Sequence, residues 1–308
     1  MRKLIKKTHR LKKYVSDDIW TLDIEELSKA KARLVKYLKV IMLTIKTFSG
    51  EKIGFQAVAL SFFSTMSVVP FVAIIFAVTG GLGLADKLVE VLYNYFNNSQ
   101  ETINMVLGFA QNIIDTAQSS AMGLVSALLF VWLVVWLMLS VERVFNNVWK
   151  VTKSRNIFRR LSIIISMILI SPFVVVVFFS GSVVYSHALE YFGLNVEEFT
   201  VFKTALSWML FSMVAAFTFS AMYKFIPNAP VNYWSAFKAA VPAAVAFTLV
   251  QYLYLETQVF VTRLNAIYGA FAAVPLFMFW LNIGWFIILF GAELSYAFQN
   301  VDNYNLDD

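Results

Sequence analysis

Cysteine is absent from all 308 residues, and histidine occurs only as His9 and His187. Without a thiol there is no disulfide, no thiolate metal site and no cysteine nucleophile. With two histidines this far apart in sequence, there is no clustered His and Asp set for metal-assisted hydrolysis. No phosphate-cradling P-loop occurs either, so ATP hydrolysis by this chain is not expected. These absences point to a protein that is not an enzyme and uses no cofactor and no metal. Charge is scarce too: 14% of residues are Asp, Glu, Lys or Arg, where soluble domains carry about a quarter. What fills the space is apolar. Hydrophobic residues make up 59% of the chain and mean hydropathy is +0.69, the composition of a polytopic membrane protein.

Six stretches contain no charged side chain: Ile53 to Ala85, Thr116 to Val141, Leu161 to Leu189, Thr204 to Tyr223, Ala239 to Leu255 and Leu264 to Ala292. A helix needs about 20 apolar residues to cross ~30 Å of hydrocarbon, and five stretches suffice outright. The fifth spans only if its helix continues past Glu256 to Val261, carrying a carboxylate near its outer end. The predicted fold is all-α with six transmembrane helices, over about 57–79, 120–141, 161–185, 204–223, 239–261 and 270–292. Residues 1–52 form a basic N-terminal region, 53–299 the membrane domain and 300–308 an acidic tail expected to be disordered.

Of the 25 Lys and Arg, 22 fall in residues 1–52, 142–160 and 224–238, leaving Lys87, Lys203 and Arg263 for the other side. Positive residues are retained in the cytoplasm during insertion, so both termini are predicted to be cytoplasmic. The two histidines then lie on opposite faces of the membrane. The basic pI of 9.3 therefore implies contact with anionic lipid headgroups rather than nucleic acid. The basic start runs into the polar stretch Ser16 to Glu26, which is no signal-peptide core.

Asp23 and Glu26 have capping-box spacing and open a helix predicted to reach Phe48. Leu27, Leu34, Leu38, Ile41, Ile45 and Phe48 share one face, and Lys29, Arg33, Lys36, Lys39 and Lys46 lie mainly elsewhere. Two arrangements satisfy this pattern: a helix lying in the membrane interface, or one packed on the cytoplasmic ends of the bundle. In the first outer connection, Gly80-Gly81-Leu82-Gly83 breaks the helix. Leu84 to Tyr95 and Ile103 to Ile114 then read as two amphipathic helices outside the membrane.

Candidate functional residues interrupt the spans. Ser61, Ser64, Thr65 and Ser67 precede Pro70 in the first span, where a kink is expected, with hydroxyls available to the carbonyls the proline frees. They either line a polar path or pack helices closely. Pro172, Pro242 and Pro275 predict breaks in three further spans. Glu142, Arg143 and Asn146 end the second span at the depth where Glu293 ends the sixth, suggesting an Arg143–Glu293 bridge that is either a structural clasp or a cytoplasmic gate. On the outer side Glu256 and Arg263 either pair or leave Arg263 facing a headgroup, and mid-span Asn282 calls for a partner across the bundle. Ala236, Ala240 and Ala244 permit close helix contact within or between chains, so a homo-oligomer is compatible with the sequence.

Ser61 to Pro70, Glu142 to Trp149, Tyr223-Lys224-Phe225-Ile226-Pro227-Asn228, Asn265-Ala266-Ile267-Tyr268-Gly269, Trp280 and Gly291-Ala292-Glu293 occur in an order that resembles the YihY/BrkB family of bacterial inner-membrane proteins. The resemblance covers about residues 50–298. It implies a six-span protein of the bacterial cytoplasmic membrane, without established enzymatic chemistry, linked to envelope lipid or lipopolysaccharide traffic. An old ribonuclease label attached to that family finds no support in the histidine content of this chain. Three functions remain open: a flippase-like transporter of anionic lipid or glycolipid, an exporter of a small anionic or amphipathic solute that couples to protons through Glu142, Glu256 or Glu293, and a non-transporting envelope scaffold. The candidate path comprises Ser61, Ser64, Thr65, Pro70, Glu142, Arg143, Asn146, Glu256, Arg263, Asn265, Tyr268, Asn282 and Glu293.

Overall fold

The computed structural model describes residues 28–50, 52–81, 83, 86, 88–90, 93, 104, 107–108, 111–112, 115, 121–151, 155–156, 158–160, 162–163, 165–166, 170, 200–263 and 273–303. Within them lie six long α-helices: α1 (Lys29–Gly50), α2 (Ile53–Gly81), α3 (Ala121–Val148), α4 (Thr200–Phe225), α5 (Tyr233–Arg263) and α6 (Ala273–Asn300). A 3-10 turn, Val301–Asn303, follows. Four helices contain stretches long and apolar enough to cross a membrane: Leu128–Val148, Trp208–Phe225, Tyr233–Thr257 and Pro275–Asn300. A fifth span is made by α2 if its two parts, Ile53–Val68 and Pro70–Phe76, which meet at 50°, cross together. The third expected span, 161–185, falls largely outside the described residues, as do Pro172, the outer amphipathic helices and the Asp23–Glu26 box.

Local chemistry sets the helix ends. Asn232 caps α5, its Oδ1 accepting the Trp234 N–H at 2.9 Å. Pro227 ends α4, because it has no N–H to continue the ladder. The end of α3 closes as a Schellman motif: Val151 N donates to Asn146 O at 2.9 Å and Lys150 N to Asn147 O at 2.9 Å. The left-handed position of that motif is held by Lys150, with φ of 52°. Lys52 takes a similar φ of 53° at the corner between α1 and α2. At the far end of α2, Gly83 has φ of 68° in the expected breaker.

The kink expected at Pro70 is present, but the hydroxyls before it serve other carbonyls. Ser61 donates to Val58 O and Thr65 to Ser61 O, each at 2.8 Å, one turn or more before the carbonyl the proline frees. The other prolines differ from expectation. Pro242 sits inside α5, which continues through it as a single candidate span. Pro275 is in the first turn of α6, where a missing N–H costs nothing.

The core forms where α4, α5 and α6 meet. Ala236, Ala239, Ala240, Ala243 and Ala244 of α5 are buried with Phe219 and Tyr223 of α4 and Leu289 and Ala292 of α6. Small side chains on α5 let its neighbours approach closely. Tyr223 and Gly291 show how closely: a Cβ placed on Gly291 would lie 2.1 Å from the Tyr223 hydroxyl oxygen. Outward faces carry exposed Leu128, Leu129 and Trp132 on α3 and Val245 and Leu249 on α5. Apolar surface of that extent is stable only against lipid.

Of the two arrangements open to α1, the structure adopts packing on the bundle. Tyr37 meets Phe298, Thr47 meets Glu293, and Phe48 meets Phe290 and Phe286. Numbers rise along α1 as they fall along α6, so α1 runs antiparallel to the second half of α6 over roughly 18 Å. The tail is also ordered at its start: Val301 is buried beside Val40 and Leu43, and Asp302 pairs with Lys36 at 2.5 Å.

Candidate functional site

A cavity of about 700 Å³ opens between α2, α3 and the segment after α3. Gln56, Leu60 and Phe63 line it at i, i+4 and i+7, one face of α2. Ser140, Arg143 and Asn147 line it from α3 at the same helical rhythm, and Arg160 closes the basic end. The α2 wall is thus apolar except for Gln56, and the opposite side carries two guanidinium groups.

The carboxylate of Glu142 is buried behind this wall. Its Oε2 accepts from Arg160 Nε at 2.7 Å, and its Oε1 has no hydrogen-bond partner among the described residues. A single carboxylate therefore faces more positive charge than it neutralises. Arg143 is exposed at the cavity and forms no ion pair or hydrogen bond among the described residues. The expected Arg143–Glu293 bridge is not made. Glu293 instead accepts from the Thr47 hydroxyl at 2.8 Å, because α1 packs against that face of α6 and buries the carboxylate.

Beside the cavity the chain is tied across its basic end. Arg155 donates to three successive main-chain carbonyls: from Nη2 to Phe225 O at 3.1 Å, from Nη1 to Ile226 O at 3.2 Å, and from Nη2 to Pro227 O at 2.7 Å. Its Nε donates to Asn228 Oδ1 at 3.1 Å. The first of the three carbonyls belongs to the last residue of α4 and has no helical partner, and the next two follow it in the loop; a planar five-donor cation suits all three. Burial pushes the Arg155 guanidinium below the usual arginine range, with the Glu142 carboxylate opposing and Arg159 reinforcing the shift. Asn146 completes the tie by accepting the Asn228 N–H at 2.7 Å. Gln299 binds the same loop from α6, accepting from Asn232 N at 2.6 Å and donating to Pro230 O at 3.1 Å.

The structure thus divides the expected path. Arg143, Asn146 and, behind them, Glu142 gather at the cavity, although Asn146 also serves the tie. Ser64 is helix glue, accepting from Trp285 Nε1 of α6 at 2.9 Å, and Ser61 and Thr65 bond their own helix. Glu256 is exposed on α5, which continues to Arg263. Asn282 lies half-buried within α6. Asn265 and Tyr268 lie outside the described residues. Sequence reasoning missed Gln56 and Arg160 in the cavity and Arg155 in the tie. Only Gln56 carried a signal, its helical spacing to Leu60 and Phe63. No group of three His, Cys, Asp or Glu able to hold a metal occurs among the described residues.

These features define a helical, multi-pass membrane protein. The chain belongs to the family described as Virulence factor BrkB, whose model matches residues 44–308. It is similar to a UPF0761 membrane protein of Legionella pneumophila (strain Corby), 26% identical over 280 residues, covering 88% of this chain and 64% of the relative. A UPF0761 membrane protein of Chlorobium limicola is 27% identical over 293 residues, covering 93% of this chain and 64% of the relative. One from Actinobacillus pleuropneumoniae serotype 5b is 26% identical over 264 residues, covering 83% of this chain and 91% of the relative. The chain thus spans less than two thirds of the Legionella and Chlorobium proteins. No solved structure matches it.

Proposed function

We propose that the protein is a transporter of the bacterial inner membrane that moves the headgroup of an anionic lipid or glycolipid, with both termini in the cytoplasm. The observation that carries this reading is Arg143, a guanidinium without a protein partner among the described residues, facing a cavity shared with Arg160. A guanidinium binds a phosphate oxygen pair through parallel charge-assisted bonds. Leu60 and Phe63 on the opposite wall suit the apolar part of the same ligand. The bend at Pro70 and the alternation of basic segments support a passage entered from the cytoplasmic side.

The test is headgroup translocation in liposomes containing the purified chain, with fluorescent phosphatidylglycerol as the probe. Faster translocation than in protein-free liposomes is expected, and Arg143→Gln should slow it roughly 10- to 100-fold, the loss of one charge-assisted bond of about 1.5–3 kcal/mol. Equal rates with and without protein, across several anionic lipids, would overturn the reading in favour of an envelope scaffold. Flux of a small organic anion, driven by a pH gradient and abolished by Glu142→Gln, would overturn it in favour of a proton-coupled exporter.

A further inference from the structure

One face of α1 is covered by α6; a second apolar face is left exposed by the described residues. Leu34, Leu38, Ile41 and Ile45 are 65%, 42%, 48% and 55% exposed. Their spacing of four, three and four residues is that of a heptad seam, with Leu38 and Ile45 at a and Leu34 and Ile41 at d. We propose that this seam pairs with the same seam of a second copy of the chain, as a short parallel coiled coil outside the hydrocarbon.

Three observations select a second copy over the bilayer. First, α1 carries six basic residues in 22, too many for the hydrocarbon. It also runs along α6, whose 28 residues extend about 42 Å and so project beyond ~30 Å of hydrocarbon. An interfacial helix lies flat on the bilayer, whereas α1 follows the direction of a span. Second, the positions flanking the seam between Leu34 and Ile45 are Val35, Met42, Tyr37 and Thr44, none charged. Lys36 and Lys39 lie off the seam, so between Leu34 and Ile45 two copies meet without like-charge repulsion. Third, a two-fold axis along the membrane normal brings two such helices together in parallel and in register, with both sets of spans in one membrane, and closes the assembly. Four side chains per copy bury less than the ~1,200 Å² typical of a stable soluble interface. Confinement of both copies to one membrane supplies the effective concentration the seam needs.

Because the chain has no cysteine, single substitutions report contact directly. Leu34→Cys, Leu38→Cys, Ile41→Cys and Ile45→Cys in the full chain should each give a disulfide-linked dimer on mild oxidation in native membranes. Arg33→Cys and Lys46→Cys, exposed on the same helix, should not. Ile41→Lys should convert the detergent-solubilised dimer to monomer without lowering the thermal unfolding midpoint, which separates a lost interface from a lost fold. Cross-linking equal at all six positions, or absent from the four, would overturn the proposal. So would a spin label at position 41 that reports burial among lipid chains.

Discussion

The Tyr223 hydroxyl occupies the space that a side chain on Gly291 would fill, and Ala243 crowds the same point, its Cβ 2.8 Å from the added one. Gly291→Ala is therefore an overpacking substitution at the junction of α4, α5 and α6, expected to cost about 1–3 kcal/mol and to lower the unfolding midpoint in detergent. Adding Tyr223→Phe should restore part of the loss, since the hydroxyl is the nearest atom and has no hydrogen-bond partner among the described residues. Failure of the second substitution to help would place the strain at Ala243. The sequence marked Gly291-Ala292-Glu293 as a motif, but the need for glycine depends on a tyrosine and an alanine from two other helices. The hydroxyls of Ser61 and Thr65 were equally ambiguous. A serine or threonine in a span can turn to its own backbone or to a neighbour, and spacing does not decide which.

At the scale of elements, Pro70 made the bend of α2 legible because a missing N–H acts on its own helix wherever the neighbours lie. The packing of α1 was only half legible. Two apolar arcs share its surface, and the arc with the cleaner heptad spacing is exposed, while Val40, Leu43, Thr44 and Thr47 face α6. Nothing in the sequence pointed to Arg155, because three of its four acceptors are main-chain carbonyls, which every residue possesses. Arg155→Lys keeps the charge but loses the planar fork. It should leave helix-end carbonyls without donors, at a cost of about 1–3 kcal/mol, and raise the rate of proteolytic cleavage within 226–232. An unchanged cleavage rate would mean that Asn146 and Gln299 suffice to hold the loop.

For the whole molecule, alternation of basic segments predicts the orientation, because insertion reads charge rather than tertiary contact. With no cysteine to replace, Ser28→Cys and Asp302→Cys should react with a membrane-impermeant maleimide only after cells are permeabilised, and Asp86→Cys in intact cells. The reverse pattern would invert the orientation proposed for the cavity. The cavity itself was legible only in part. Arg143 stood out as a boundary charge, whereas Arg160 is placed by the turn after α3. The order of synthesis has a consequence for assembly. Thr47 and Glu293 lie 246 positions apart, and Lys36 and Asp302 lie 266 apart. At about 5–20 residues per second, α1 leaves the ribosome roughly 12–50 s before the part of α6 that receives it exists. The first of the described helices is thus among the last to dock, and for that interval both of its apolar faces are open to whatever reaches them first.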